Sequence, residues 1–192
     1  LIIYYTTTKD VNCKNINLRL DFLLEKNSSL KLIDISSDLS KKNFINILNN
    51  FELKKDSILK NYKIDKKIND NVKYSYNNIN QEENSISEIF ILSSGSKFIK
   101  NEINCNLNKK YSSAFINGIF SLTDYSHHEI RTSINHLIEN TKSYQLIKGV
   151  LGKDSKAVYQ GKIFVDQKAQ KTDGYQLSKA ILLDETSEFN AK

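Results

Sequence analysis

The sequence of 192 residues contains no proline, no methionine and no tryptophan, and only two of its 28 basic residues, Arg19 and Arg131, are arginines. A complete translated chain begins with methionine and normally contains some proline at this length, so we expect a fragment of a longer protein. The scarcity of arginine argues against a nucleic-acid partner, because the planar guanidinium group is favoured where guanine edges or phosphates are held by two hydrogen bonds. The net charge of +6 is therefore interpreted as a lysine-rich compositional bias.

Cysteine is also scarce, and no long apolar run is present. Cys13 and Cys105 form no CxxC pattern and no cluster with histidine, so they are interpreted as packing residues rather than as a disulfide or metal framework. No segment approaches the ~18 apolar residues of a membrane span, and the apolar run at residues 1–5 is too short for a signal peptide. We expect a soluble protein without a membrane partner, located in the bacterial cytoplasm or in an organelle stroma.

Most apolar residues alternate with polar ones, which is typical of strands that bury one face. The segment 37–48 begins with residues that could cap a helix but is also interpreted as a strand. The sequence therefore predicts an all-β protein. The clearest alternating segments are Ser29–Ile35, Ser57–Ile64, Ser85–Leu92 and Ala157–Val165.

Short polar corners separate these strands, at residues 25–29, 54–57, 93–96, 152–155 and 184–187. The first apolar or small residues after the corners are Leu30, Ile58, Phe98, Ala157 and Phe189, which are 28, 40, 59 and 32 positions apart. These intervals fit one or two units of roughly 30 residues. Stacked units of this kind form a solenoid, so we predict a single β-helical domain over residues 1–192. A β-sandwich remains an alternative, because it shows similar alternation.

Three histidines, His127, His128 and His136, lie close together in the sequence beside Asp124 and Glu129. Imidazole with nearby carboxylates is common in metal sites and in general-base pairs. On a strand only His128 and His136 would share a face, and they are the candidate metal ligands; internal hydrogen bonding or exposure is the alternative. The chain has no HExxH, GxSxG or Walker A pattern. No catalytic residue is predicted, and the protein is not expected to be an enzyme.

The carboxy-terminal third carries several short words in a fixed order. They are Lys148-Gly149-Val150-Leu151, the strand Ala157–Val165 with Gln160-Gly161-Lys162 inside it, Ala169-Gln170-Lys171-Thr172-Asp173, and Ile181-Leu182-Leu183. An upstream element contains Thr132, Ile134 and His136, with Ser143 beyond it. Together these words resemble the signature of the SufB/SufD family of iron–sulfur cluster assembly proteins, and they are closest to SufD. Arg131 and Asn135 depart from the family pattern at positions where histidine and aspartate are common.

The resemblance implies a flattened right-handed β-helix with two long strands per turn, which stops here before the helical region at the family's carboxy terminus. It places residues 160–162 and 171–174 at corners. It also implies a non-catalytic scaffold that pairs with SufB and works with the ATPase SufC. No cofactor is expected in this chain, and an iron–sulfur cluster is expected only in the assembled complex; a homodimer is allowed in isolation. The alternatives are a SufB-like cluster scaffold and a carbohydrate-active or carbohydrate-binding β-helix.

Overall fold

The computed structural model describes residues 1–5, 15–36, 43–65 and 71–192. Within these ranges the protein is all-β, and no helix is present that could cross a membrane. Its strands form two parallel sheets, here called the odd sheet and the even sheet after their strand numbers. The odd sheet contains β1 (Ile2–Tyr5), β3 (Ser29–Ser36), β5 (Ile58–Asp65), β7 (Ile86–Ser94), β9 (Ser113–Leu122), β11 (Lys142–Leu151) and β13 (Asp173–Leu182), in that order. The even sheet contains β2 (Asn15–Leu24), β4 (Phe44–Leu53), β6 (Val72–Gln81), β8 (Phe98–Leu107), β10 (His127–His136), β12 (Lys156–Val165) and β14 (Glu188–Ala191).

Each turn of the chain contributes one strand to each sheet, so that the strands stack into a β-solenoid of about six turns. Side chains at equivalent positions of successive turns are 26 residues apart at Asn78 and Asn104 and 31 apart at Gln145 and Gln176. The predicted repeat of roughly 30 residues is therefore confirmed.

The irregular intervals between the predicted corners also have an explanation. Leu30 and Ile58 lie on the odd sheet, whereas Phe98 and Ala157 lie on the even sheet. The interval of 40 residues therefore passes from one sheet to the other, and the interval of 59 spans two turns. The corners are of two kinds, because some lead from the even sheet to the odd sheet and the others lead from the odd sheet to the even sheet. The residues that follow them therefore do not form a single series.

Inward and outward side chains alternate strictly along the central strands, as in β8 and β10. This alternation follows from the pleat of a strand, which directs successive side chains to opposite faces. The inward side chains of both sheets meet in a close-packed lumen, where Phe51, Ile103, Phe120 and Tyr159 are almost completely buried. The four clearly alternating segments predicted from the sequence are confirmed as β3, β5, β7 and β12.

The corners that lead from the even sheet to the odd sheet share one design. In each of them a residue with positive φ is followed by serine or threonine, whose hydroxyl commonly donates to the carbonyl three residues earlier, as Ser85 does to Glu82 at 2.7 Å. Such bonds stabilise a tight turn without glycine. The positive-φ residues of these corners are Asn27, Asp56, Asn84, Tyr111, Asn140 and Lys171.

Of the glycines in the described ranges, only Gly95 has a positive φ. The predicted corner at residues 160–162 is wrong, because Gly161 lies in the middle of β12. Its missing Cβ leaves room inside the lumen for the side-chain amide of Gln176. Of the second predicted corner, Lys171 and Thr172 lie in a turn, whereas residues 173 and 174 already belong to β13. In the segment 37–48, residues 37–42 lie outside the described ranges and Phe44 begins β4.

Candidate interaction surface

The upstream family element lies on β10, and its three matching side chains point into the lumen. Thr132, Ile134 and His136 are at most 4% exposed. Their spacing of two residues places them on one face of the strand, so this element contributes to the core.

His136 is held between two hydroxyl groups. Its Nδ1 lies 2.7 Å from Thr141 Oγ1, and its Nε2 lies 2.9 Å from Ser143 Oγ. Thr141 Oγ1 donates to the carbonyl of Ile138, so it accepts from His136 Nδ1–H, and Nε2 accepts from Ser143. Burial lowers the pKa of His136. Ser143, the serine that follows the family element, therefore helps to keep this ring neutral.

His128 is also buried and also bound at both ring nitrogens. Its Nε2 donates to the backbone oxygen of Ser96 at 2.8 Å, and its Nδ1 accepts from Ser93 Oγ at 2.8 Å. Burial lowers the pKa of His128 to about 4, against the smaller opposing effect of the Ser96 carbonyl. His127 faces outward instead, with Nε2 3.5 Å from Glu129 Oε1 and its ring edge-on to Phe98.

These contacts do not suit metal binding, because each buried ring uses its only free lone pair to accept from serine. Within the ranges that the structure describes, no group of three or more His, Cys, Asp or Glu side chains could hold a metal ion. Cys105 is buried on β8, and burial raises the pKa of its thiol to about 12, so the reactive thiolate is disfavoured. Cys13 lies outside the described residues.

The word Lys148-Gly149-Val150-Leu151 ends β11. A Cβ at Gly149 would lie 2.9 Å from the side chain of Leu151 and 3.3 Å from that of Ala180, so a larger residue would require these side chains to shift. Lys148 and Val150 point outward. Within the word on β12, Gln160 and Lys162 also point outward, on either side of the inward-facing Gly161. Each word thus alternates between the core and the surface.

The word Ala169-Gln170-Lys171-Thr172-Asp173 forms the corner between β12 and β13. Ala169 is buried, and Thr172 Oγ1 donates to its carbonyl at 2.8 Å. The Gln170 carbonyl accepts from Asn140 N–H in the preceding turn, and Asp173 N–H donates to Thr141. The residues of this word therefore form the corner and hold it against the corner of the preceding turn.

Among the described residues no strand pairs with the outer side of β13. Asp173 N–H and Leu183 N–H both donate toward β11, so the odd-numbered residues of β13 direct their backbone groups to that strand. The even-numbered residues, from Gly174 to Leu182, direct theirs to the open side, because backbone direction alternates along a strand. An open strand edge of this kind can pair with another chain.

Exposed apolar side chains surround this end of the solenoid. Ile181 and Leu183 are 63% and 66% exposed, and Leu182, at the inward register of the buried Leu151, is 47% exposed. Phe164 and Val165 on β12 are exposed as well. The sequence did not identify this surface, although one signal was present: residues 163–165 and 181–183 are apolar triplets that interrupt the alternation.

Residues 5–192 match the family model described as SUF system FeS cluster assembly, SufBD core domain. No curated protein matches the sequence. The family match covers nearly the whole chain and so extends into the amino-terminal half, well beyond the words of the carboxy-terminal third. The chain therefore belongs to the SufBD core family of the SUF system, whose members are non-catalytic components of iron–sulfur cluster assembly.

Proposed function

We propose that this chain is the β-helical body of a SufD-type scaffold, which pairs with a SufB-like protein at the end of the solenoid formed by β12, β13 and β14. The complex would work with a SufC-like ATPase. The observation that carries the proposal is the outer side of β13, where backbone groups without a strand partner among the described residues lie beside exposed leucine and isoleucine side chains.

Pairing along a strand edge suits a holding role, because backbone groups provide affinity while alternate side chains provide selectivity. Burying Ile181 and Leu183 against a partner would add roughly 1.5–3 kcal/mol for each side chain that becomes fully covered. The partner's strand could pair with β13 in either the parallel or the antiparallel orientation.

The proposal assigns this chain no catalytic step and no resident cofactor. The two buried histidines are bound to serine, threonine and backbone oxygen atoms, which supports a structural role. An iron–sulfur cluster would be held only by the assembled complex. The carbohydrate-active alternative gains no support, because Asp124 and Asp166 lie at corners while Glu129 lies on the outer face of β10.

Co-expression of the protein with SufB-like and SufC-like proteins from the same genome tests the proposal. The informative variant is Leu182→Lys, which places an inward-pointing charge on the open edge of β13. Leu18→Lys is its matched control, because Leu18 is 37% exposed at an inward register of β2, at the opposite end of the solenoid. We expect Leu182→Lys to reduce the amount of co-purified SufB-like protein by at least about tenfold. Leu18→Lys should leave this amount unchanged.

Two results would contradict the proposal. Failure of the unmodified protein to co-purify with both partners would remove the assignment. Unfolding of isolated Leu182→Lys at much lower urea than Leu18→Lys would show that the same polypeptide covers β13, which would exclude this edge as the docking site. Cluster binding by the isolated protein would favour the SufB-like alternative, and a concentration-dependent homodimer lost in Leu182→Lys would show that the edge can also pair with itself.

A further inference from the structure

The outer face of the odd sheet carries a largely apolar stripe, interrupted at Asn117 and here called the outer stripe. Its first row follows the strand register through Ile33, Tyr62, Phe90, Asn117, Leu146 and Leu177. The second row, two residues further along each strand, contains Ile35, Ile64, Leu92 and Ile119, and then ends in Lys148 and Lys179. Soluble monomers rarely expose apolar patches larger than a few hundred Å² unless the patch has a partner.

The outer face of the even sheet shows that the stripe is not a general property of this solenoid. There, amide side chains form ladders between turns, as in Asn104 to Asn78 at 2.9 Å and Asn135 to Asn106 at 2.8 Å. Asn80 similarly donates to Glu52. The two outer faces have the same backbone geometry, but on the even face the apolar residues Phe44, Val72 and Phe98 form one row at the start of the strands, and the amide ladders occupy the middle of the face.

The two lysines at the end of the stripe are exposed and directly adjacent in register. Within the described residues neither Lys148 nor Lys179 forms an ion pair, whereas Lys60 near the other end of this face lies 3.0 Å from Glu88. Like charges that face each other on neighbouring strands are destabilising. The stripe thus has one end where positive charge lacks a counter-charge.

The dimensions of the stripe fit one helix. Six neighbouring strands spaced about 4.8 Å apart span roughly 24 Å from β3 to β13, which equals about 16 residues of helix. The two rows are separated by about 7 Å, within the ~10–12 Å width of a helix. A helix that crosses the strands would therefore cover both rows with a single apolar face.

We propose that the outer stripe is the docking site of an amphipathic helix from a partner protein, with its acidic end over Lys148 and Lys179. The carboxy-terminal end of a helix also carries partial negative charge, so the helix would run toward β13. This inference does not depend on pairing at the edge of β13, since most of the stripe lies on β3 to β11.

Two other covers fit less well. An anionic membrane would meet Glu88 on the same face as Lys60, and at that end of the face Lys31 already lies over the ring of Tyr62, 6.0 Å from its centroid. A second copy in antiparallel two-fold contact would place Lys179 over Ile35 and Lys148 over Ile64 of its partner, which would bury positive charge without a counter-charge. A helix with acidic side chains at one end supplies the counter-charge for Lys148 and Lys179 and does not bring an anionic surface against Glu88.

A charge-swap experiment with the purified protein tests the proposed chemistry. Two synthetic peptides of about 18 residues would share one leucine stripe at helical spacing and carry either glutamate or lysine in the carboxy-terminal turns. Fluorescence anisotropy should show that the glutamate peptide binds at least about tenfold more tightly, and that Lys148→Glu with Lys179→Glu reverses this preference. The matched control, Lys162→Glu with Lys168→Glu, changes the net charge equally but lies away from the stripe and should leave the preference unchanged. Equal binding of both peptides, or reversal by the control, would overturn the proposal.

Photo-crosslinking identifies the natural occupant. With p-benzoylphenylalanine in place of Phe90 in the full-length protein, irradiation of cells should yield one crosslinked partner. Its crosslinked peptide should show apolar residues at helical spacing and carboxylates toward one end. The same group in place of Tyr76, on the outer face of the even sheet, should not capture that peptide. Crosslinks to a second copy, to another segment of the same polypeptide or to lipid, flotation of the protein with phosphatidylglycerol vesicles, or no crosslink at all would each overturn the proposal.

Discussion

The amino-terminal and carboxy-terminal halves of the lumen contain different kinds of side chains. In the amino-terminal turns, Lys73 is 2.5 Å from Asp65 and Lys63 is 3.6 Å from Asp34, all nearly completely buried. In the later turns the corresponding space is filled mainly by apolar side chains such as Ile130 and Ile147. The same backbone thus accepts buried lysine and aspartate side chains in its early turns and a lumen of apolar and uncharged polar side chains in its later turns.

The difference shows what each core contributes. A buried ion pair gains Coulomb energy but loses hydration, so its net contribution to stability is small as long as both partners remain. Burial lowers the pKa of Lys63 despite the nearby Asp34 carboxylate, which indicates that desolvation outweighs attraction there. Apolar packing carries no such penalty. We therefore expect the later turns, which support the proposed interaction surface, to be the more stable half.

The largest effect is expected from breaking one buried pair. Asp65→Ala leaves Lys73 without its carboxylate and should lower the free energy of unfolding by about 3–5 kcal/mol, whereas Asp65→Leu with Lys73→Met should be near neutral. Urea unfolding measures both. Glu88→Ala, which breaks the exposed pair with Lys60, is the control and should cost at most about 1 kcal/mol. A double variant as unstable as Asp65→Ala would show that the charges themselves are required.

Acid should destabilise the protein through His128. Its folded pKa of about 4 lies below the ordinary histidine value of 6.5, so below pH 6.5 the unfolded chain takes up a proton that the folded chain does not. Stability is present above that pH and is lost as the pH falls toward 4, by about 2 kcal/mol between pH 7 and pH 5. The His128→Gln variant should lose correspondingly less between these pH values in urea unfolding. An unchanged pH dependence in this variant would contradict the effect.

A smaller effect is expected from adding a Cβ at Gly161 in the carboxy-terminal lumen. In Gly161→Ala the Cβ would meet the amide end of the flexible Gln176 side chain, which can move aside, so the change should cost no more than about 1 kcal/mol of unfolding free energy. Gln176→Ser in the same chain should restore most of the loss, because it removes the colliding atoms. If urea unfolding shows the same loss with and without Gln176→Ser, the contact between these residues is not the cause.

A similarly small loss of unfolding free energy is expected from changes at the corners, and it should be alike in both halves because the corners of the amino-terminal and carboxy-terminal halves share one design. Ser57→Ala removes the hydroxyl bond to Lys54, and Thr172→Val removes the bond to Ala169. Each change should cost about 0.5–1.5 kcal/mol, and the two losses should be similar when measured by thermal or urea unfolding. A large loss for only one of them would mean that the corners are not equivalent.

Several of these features could be predicted from the sequence. The period-two alternation identified β3, β5, β7 and β12, because burial of one sheet face imposes that pattern directly. The shared parity of His128 and His136 also followed from strand geometry. The ring partners of His128 could not be predicted, since Ser93 and Ser96 reach it from a different turn. Gly161 was placed at a corner because a glycine needed for close side-chain approach resembles one needed for a turn.

The sequence by itself determined the all-β class, the repeat of roughly 30 residues and the membership in the family, since these depend on local alternation and on short words in order. Only the tertiary structure decided which corners are equivalent, which turns of the lumen contain buried charges, and which outer face carries the apolar stripe. Those properties arise from residues about 26 to 31 positions apart that meet through stacking of successive turns. A window of one strand contains no record of its neighbour in the next turn.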